Sequence, residues 1–374
     1  MVSTESGTVQ GTASAPFAGV REAFAASLAA GEDLGGSVCV IVDGEAVCDL
    51  WGGFQDRAKT LPWTRDALAC VYSSGKAMLS TLILRAVSDG AMDYDAPLTE
   101  HYPGFDAHEK SVSLAEALSH QHGVPGFARA VDPALWLNWD ACCAAIADEP
   151  PMWPPGTASG YGPQVFGFVA GEALRRATGK SYGEHLRTLG ADVLCGLGLA
   201  EATRVAPMVK PPRAPDLGEI TAETRAAFLE PWSNPAGVSR QAWAAAEIPG
   251  SNTHANARGL AGLMQGFATG RVGGAAWASD AAREAVWAER IAGRDRVLPF
   301  DLSYGAGVMR ERGGDAPIFG GSATAIGHYG FGGSCVVADP ARGMSFAYVP
   351  NKMSEHLVRD PRAVRLLAAV NAAL

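Results

Sequence analysis

The sequence predicts an α/β (α+β) fold in which both chain ends build one domain and the middle supplies a mainly helical one. Three features predict it. Two Val- and Ile-rich runs follow an amphipathic stretch near the N-terminus, strand-like runs return only from residue 303 onward, and residues 91–250 carry helical periodicity without an alternating run. The expected division is a flexible tail over residues 1–15, a discontinuous α/β domain over 16–90 and 251–374, and a helical domain with loops over 91–250. An antiparallel sheet flanked by helices is expected in the α/β domain.

Each element has its own signal. Phe17, Val20, Phe24 and Leu28 recur at helical spacing over residues 17–30, and Gly35-Gly36 stops the pattern. Residues 36–42 and 46–51 read as strands joined by the Asp43-Gly44-Glu45 turn signal, with Gly52-Gly53 closing the second. Residues 73–89 are apolar on nearly every side, as a central buried helix requires, and Gly90 stops them. Helices are expected near 112–119, 139–148, 163–178, 181–189 and 222–229, and four prolines between Pro207 and Pro215 mark a loop. Two more helices, 254–268 and 279–291, precede strands at 303–310, 335–339 and 344–349 and a final helix at 361–374. Residues 339–343 read as a hairpin loop.

The bulk composition narrows the function. The chain has 374 residues, 48% hydrophobic and 18% charged, which is the profile of a globular enzyme-sized protein. A net charge of −9 with no basic tract excludes nucleic acid as an expected partner. Seven scattered cysteines, with no C-x-x-C pair, read as buried thiols in a reducing compartment. Residues 1–15 lack the charged start and apolar core of a signal peptide, and no apolar run is long enough to span a membrane. A cytoplasmic protein without a membrane partner is expected.

The chemistry centres on Ser73-Ser74-Gly75-Lys76 at the start of the apolar helix. Ser and Lys three apart share a helix face, so an amine can take the serine's proton and a covalent serine ester can form. The plainer alternative is a capping serine followed by a surface lysine. The apolar neighbours of Lys76 and the helix-start position of Ser73, where N–H groups favour developing negative charge, weigh against it. No Gly-x-Ser-x-Gly element occurs, which disfavours an α/β-hydrolase. No nucleotide-binding glycine pattern follows the first strand, and His120 and His122 lack a third ligand at a metal-site spacing, so no cofactor or metal is expected.

Two further blocks follow in order. Pro155-Gly156-Thr157 leads into Tyr161-Gly162-Pro163, and Gly327-His328-Tyr329-Gly330-Phe331-Gly332-Gly333-Ser334 precedes an apolar strand. Together with Trp51-Gly52-Gly53, Leu118-Ser119-His120, Trp153-Pro154 and Asn351, the chain from about residue 20 onward resembles the serine β-lactamase and penicillin-binding-protein superfamily. Within it the chain is most similar to the class C β-lactamase-like family VIII carboxylesterases. The resemblance implies that fold, with Ser73 as nucleophile, Lys76 as its base and Tyr161 as proton shuttle. It places the oxyanion hole at the Ser73 and Phe331 N–H groups. It puts His328, Tyr329 and Gly330 against the substrate, on a strand edging the cleft, where class C enzymes have Lys-Thr-Gly. Phe127, Trp136 and Trp153 are the aromatic candidates for a substrate pocket, with core packing as the alternative. A near-neutral His328 is expected to donate a hydrogen bond to the ligand.

Two positions depart from the class C pattern. Pro163 stands where an Asn is usual, and His328 replaces the Lys; both changes remove polar grips on a β-lactam. The implied activity is hydrolysis of short-chain acyl esters through an acyl-serine intermediate. β-Lactam hydrolysis, D-amino-acid amide or peptide hydrolysis, and acyl transfer to an alcohol are alternatives on the same fold. A binding protein without catalysis would need a broken Ser-Lys-Tyr set. The expected partners are a small-molecule ester and, at most, further copies of the chain.

Overall fold

The computed structural model describes residues 8–233, 238–314 and 316–374. Its strands are β1 (Gln10–Ala13), β2 (Gly35–Val42), β3 (Glu45–Gly53), β4 (Ala69–Cys70), β5 (Val193–Leu194), β6 (His254–Ala255), β7 (Arg271–Val272), β8 (Ala275–Ala276), β9 (Ile291–Arg294), β10 (Asp301–Tyr304), β11 (Met309–Arg310), β12 (Ile326–Tyr329), β13 (Cys335–Asp339) and β14 (Met344–Pro350). Its helices are α1 (Ala18–Ala29), α2 (Ser74–Ser88), α3 (Leu114–Leu118), α4 (Trp139–Asp148), α5 (Val165–Thr178), α6 (Tyr182–Leu189), α7 (Leu199–Ala202), α8 (Ala222–Thr224), α9 (Arg240–Ala245), α10 (Ala257–Ala268), α11 (Asp280–Trp287) and α12 (Pro361–Ala373). Nine strands form one antiparallel sheet in the order β1-β3-β2-β14-β13-β12-β11-β10-β9. A small sheet, β4-β6-β5, lies at the start of α2, and β7-β8 form a separate hairpin.

Helices cover both faces of the large sheet, and strand β2 shows why. Val38 and Val40 pack with Phe17, just before α1, with Val20 and Phe24 of α1, and with Leu366, Leu367 and Val370 of α12. Cys39 and Ile41 point the other way, into the core built by α2, α10 and the helical middle of the chain. With both parities of residue buried, the strand is continuously apolar rather than alternating. Asp43 (φ 48°) and Gly44 (φ 85°) close the β2–β3 hairpin in left-handed conformations, which Asp-Gly tolerates.

The structure departs from the sequence expectations at four places. Residues 10–13, expected in the tail, form β1 on the free edge of β3, in register Gln10↔Trp51 to Ala13↔Cys48. The side chains of a short edge strand carry little signal; its partner's open edge decides. Residues 1–7 of that tail lie outside the described residues. The strand expected over 303–310 is two strands, broken at Gly305–Val308 so that the Gly307 carbonyl meets Ser80 Oγ at 2.7 Å. His254 does not start a helix: it lies in β6, and α10 begins after Asn256, whose Oδ1 accepts from the Gly259 N–H at 2.9 Å. The helix expected over 279–291 ends at Trp287, and Ile291 already belongs to β9. No helix among the described residues is long and apolar enough to cross a membrane.

One buried ion cluster ties the chain ends to the turn after β12. The Arg362 guanidinium, on α12, bonds Asp33 Oδ1 and Asp360 Oδ2, each at 2.8 Å, and donates to the Gly332 carbonyl at 2.9 Å. All three charged side chains are almost fully buried. Removing the cation leaves two buried carboxylates without their partner. Arg362→Ala is therefore expected to lower stability by about 3–5 kcal/mol, measured by urea unfolding; a loss under about 1 kcal/mol would contradict the clamp.

Candidate active site

Ser73 immediately precedes α2, and its hydroxyl makes no capping bond. Lys76 has no accessible surface. The reading as a capping serine with a surface lysine is thereby excluded. The residue before Ser73, Tyr72, has φ 45°, a strained conformation for a bulky side chain that turns the chain sharply into the helix.

Lys76 Nζ lies 2.9 Å from Ser73 Oγ, 2.8 Å from the Pro163 carbonyl and 2.9 Å from the Gly250 carbonyl. No carboxylate pairs with it among the described residues. Burial holds its pKa well below the ordinary lysine value. A neutral amine has two N–H donors and one lone pair. Two carbonyls and one hydroxyl proton satisfy those three positions, so the surroundings suit the free base next to a donating serine. Gly75 makes this possible on the helix side: a Cβ there would lie 2.4 Å from Thr253 Oγ1, so α2 could not approach the segment that carries Gly250.

Tyr161 comes from the helical middle. Its phenol lies close enough to the Ser73 side chain to interact with it, and Lys76 Nζ lies 4.9 Å from its ring centroid. Burial pushes its pKa up, so the phenol keeps its proton. Its main chain is held on both sides. The Gly160 N–H donates to the His120 carbonyl (3.0 Å), the Tyr161 N–H to Asp295 Oδ1 (3.0 Å) and the Gly162 N–H to His120 Nδ1 (3.2 Å). Tyr161, far away in sequence, is thus brought beside the hydrogen-bonded pair of Ser73 and Lys76.

The turn after β12 forms the other wall. Ser334 Oγ lies 2.9 Å from Ser74 Oγ and donates to the Val71 carbonyl at 2.8 Å, tying this turn to the start of α2. A Cβ at Gly330 would lie 2.1 Å from the Val71 carbonyl oxygen, so glycine alone permits the approach. Among the described residues, neither the Ser73 nor the Phe331 N–H has an internal hydrogen-bond partner. Tyr72 and Phe331 meet edge to face at 5.8 Å, and the Tyr72 hydroxyl reaches Met353 Sδ at 3.9 Å, giving a largely apolar rim beside Ser73.

His328 faces this cleft from β12, with its ring centroid 5.9 Å from that of Tyr161. Two expectations for the strand need correction. Burial pulls the His328 pKa down to about 3, and its Nδ1 lies 2.7 Å from the Tyr329 carbonyl. The Nδ1 proton is committed to that carbonyl, so the free Nε2 accepts a hydrogen bond rather than donating one. The Tyr329 side chain does not line this cleft. Strand alternation turns it to the opposite side of the sheet, where its hydroxyl donates to the Ile318 carbonyl at 2.7 Å and its ring stacks on Phe319 at 5.6 Å.

The aromatic candidates also resolve into packing roles. Phe127 and Trp136 have no more than 1% of their surface accessible, and both set their rings edge to face against Trp232, at 4.7 and 5.8 Å. Both rings fill positions in the core. Trp153 closes over Gly160, where a Cβ would lie 2.2 Å from its ring, and donates to the Ala158 carbonyl at 3.0 Å. It shapes the approach to Tyr161. His122 Nδ1 accepts from the Val124 N–H at 3.2 Å, and Asn351 fastens Gly35, Phe54 and Gln55. Sequence reasoning missed Gly250 and the Pro163 carbonyl as partners of Lys76, and Asp295 as a partner of Tyr161. Main-chain acceptors carry no residue-type signal.

Comparison with known proteins identifies the family and the fold. A family profile described as Beta-lactamase matches residues 20–370. The chain is 30% identical over 377 aligned positions to "Esterase/beta-lactamase LipL" of Mycobacterium tuberculosis, covering 95% of this chain and 86% of that protein. Among solved structures it is similar to a penicillin-binding protein homologue from Caulobacter crescentus, at TM-score 0.94 and 42% identity, covering 98% of this chain and 100% of that one. It is also similar to a family VIII carboxylesterase, at TM-score 0.90 and 34% identity, again covering 98% and 100%.

Lys76→Met removes the candidate base. Labelling of Ser73 by a fluorophosphonate probe is expected to slow by about 10²–10⁴-fold. In the native chain the labelling rate should rise with pH through an apparent pKa well below the free-lysine value of 10.5, because the base form persists at lower pH. A rate that rises only near pH 10 would contradict the assignment.

Proposed function

The chain belongs to the Beta-lactamase family, and from that premise we propose that it is a carboxylic ester hydrolase acting on short-chain acyl esters through a covalent ester on Ser73. The observation that carries the proposal is the buried Lys76 amine, with no ion-pair partner among the described residues, 2.9 Å from the Ser73 hydroxyl and 4.9 Å from the Tyr161 ring centroid. The similarity to a family VIII carboxylesterase and to an esterase/β-lactamase supports the choice of esters.

The geometry supports the following steps. Lys76 takes the Ser73 proton as Oγ attacks the ester carbonyl. The negative oxygen of the tetrahedral intermediate sits between the Ser73 and Phe331 N–H groups, near the start of α2. Tyr161 gives its proton to the departing alkoxide and regains one from the Lys76 ammonium. The acyl group stays on Ser73. Water then attacks the acyl carbon, with Tyr161 and Lys76 accepting its proton and returning one to Ser73 Oγ as the acid leaves. No group in this cycle needs to change charge permanently.

The apolar rim of Tyr72, Phe331 and Met353 favours uncharged ligands. A second reading, β-lactam hydrolysis, is favoured by the name of the Mycobacterium tuberculosis relative. The neutral His328 and the side chain of Pro163 give a β-lactam carboxylate and amide little to bind, so esters are preferred.

p-Nitrophenyl acetate and butyrate should release p-nitrophenol in a burst followed by steady turnover, and Ser73→Ala should abolish both phases. Nitrocefin should be cleaved with a much lower kcat/KM. Absence of ester turnover across short acyl chains, or nitrocefin as the better substrate, would overturn the assignment.

A further inference from the structure

Asp295 is a nearly fully buried acid for which, among the described residues, no cation forms an ion pair. Its neighbours Arg294 and Arg296 turn away, to the Pro299 carbonyl at 2.9 Å and to Glu223 at 2.9 Å. One carboxylate oxygen accepts three main-chain N–H groups: Tyr161 at 3.0 Å, Val297 at 3.0 Å and Leu298 at 2.9 Å. The other lies 3.4 Å from the Tyr304 hydroxyl. The Arg296 N–H also donates to the Ser159 carbonyl at 2.9 Å, so two loops are stitched together directly behind Tyr161.

Two of the three contacts to Oδ1 fold the acid's own loop. The third crosses to the residue that carries the phenol. A turn without regular secondary structure has few ways to fix a side chain to a fraction of an ångström, and here the carboxylate holds the residue while His120 holds its neighbours on both sides. The rings of Tyr304 and Tyr161 both pack on His120, at 5.2 and 4.8 Å, so the acid's two oxygens serve one aromatic cluster.

We infer that Asp295 is a positioning residue, whose buried carboxylate fixes the Tyr161 main chain and so sets the reach of the phenol to Ser73 Oγ. The inference rests on the proposed role of Tyr161 in proton transfer. The carboxylate also adds to the effect of burial, which is the main cause that raises the Tyr161 pKa and keeps the phenol protonated. Misplacing a proton-transfer group by a fraction of an ångström lowers the rate of the chemical step and leaves ground-state binding almost untouched.

The test is a double-mutant cycle on the rate of Ser73 labelling by a fluorophosphonate, alongside kcat and KM for p-nitrophenyl acetate. Asp295→Ala should slow labelling and lower kcat about tenfold, with KM within about twofold. Asp295→Asn, which keeps the acceptor oxygen, should recover most of the loss. In a Tyr161→Phe background Asp295→Ala should cost less than about twofold, because the two changes act through one group. If Asp295→Ala does not fold, Asp295→Ser replaces it: its hydroxyl can still close the local turn to Val297 but is one bond too short for Tyr161. Equal losses in both backgrounds, unchanged rates in the single variant, or no rescue by Asn would overturn the inference. An Asp295→Asn chain that does not fold would assign the acid to the fold at large and overturn it too. A wild-type chain that labels at Ser73 yet hydrolyses no ester would sink the esterase reading alone, since the labelling cycle still reads Asp295.

Discussion

Taking an ammonium group out of water costs several kcal/mol unless an opposite charge accompanies it. Among the described residues Lys76 has no such partner; it has two carbonyls and a serine hydroxyl. The cheapest way to occupy that position is as the neutral amine. A carboxylate at the same distance would have held the proton on the lysine and removed its use as a base. The reactivity assigned to Ser73 therefore depends on what the fold withholds from Lys76 as much as on what it supplies.

The architecture explains how that surrounding is kept. The two carbonyls come from different segments, Pro163 just before α5 and Gly250 just before β6, and both must approach α2 closely. Gly75 permits the second approach. On the sheet side, Gly330 lets the end of β12 press on the Val71 carbonyl, and the Arg362 cluster holds the following turn by the Gly332 carbonyl. The Ser73 and Phe331 N–H groups are thus fixed relative to each other by contacts that include a buried ion pair far from the serine. The cleft lies between the turn after β12, which carries the Phe331 N–H, and the helical middle, which carries the Tyr161 phenol.

Much of this was legible in the sequence, and the rest has identifiable physical reasons for being hidden. The β2–β3 hairpin, the buried α2 and the helices of the middle segment announce themselves through local periodicity and turn chemistry. Ser73, Lys76 and Tyr161 emerge from residue types at set spacings, and the structure brings all three together. Strands β1 and β6 stay hidden because their existence depends on distant partners. The outward turn of the Tyr329 side chain follows from strand alternation, since adjacent residues face opposite sides and His328 faces the cleft. Phe127 and Trp136 were ambiguous in kind, because a ring lining a pocket and a ring filling a core look alike in one dimension. The Pro163 and Gly250 carbonyls were beyond reach, and Asp295 was one acid among many until its loop was placed behind Tyr161.

The protonation state of Lys76 is open to direct observation. Heteronuclear NMR of chain labelled at lysine Cε and Nζ, with the Lys76 signal assigned by its loss in Lys76→Met, follows that one amine through a pH titration. The account predicts the chemical shifts of a neutral amine at pH 7, with protonation only in more acidic solution. An ammonium signal that persists to about pH 10, as in an exposed lysine, would contradict it.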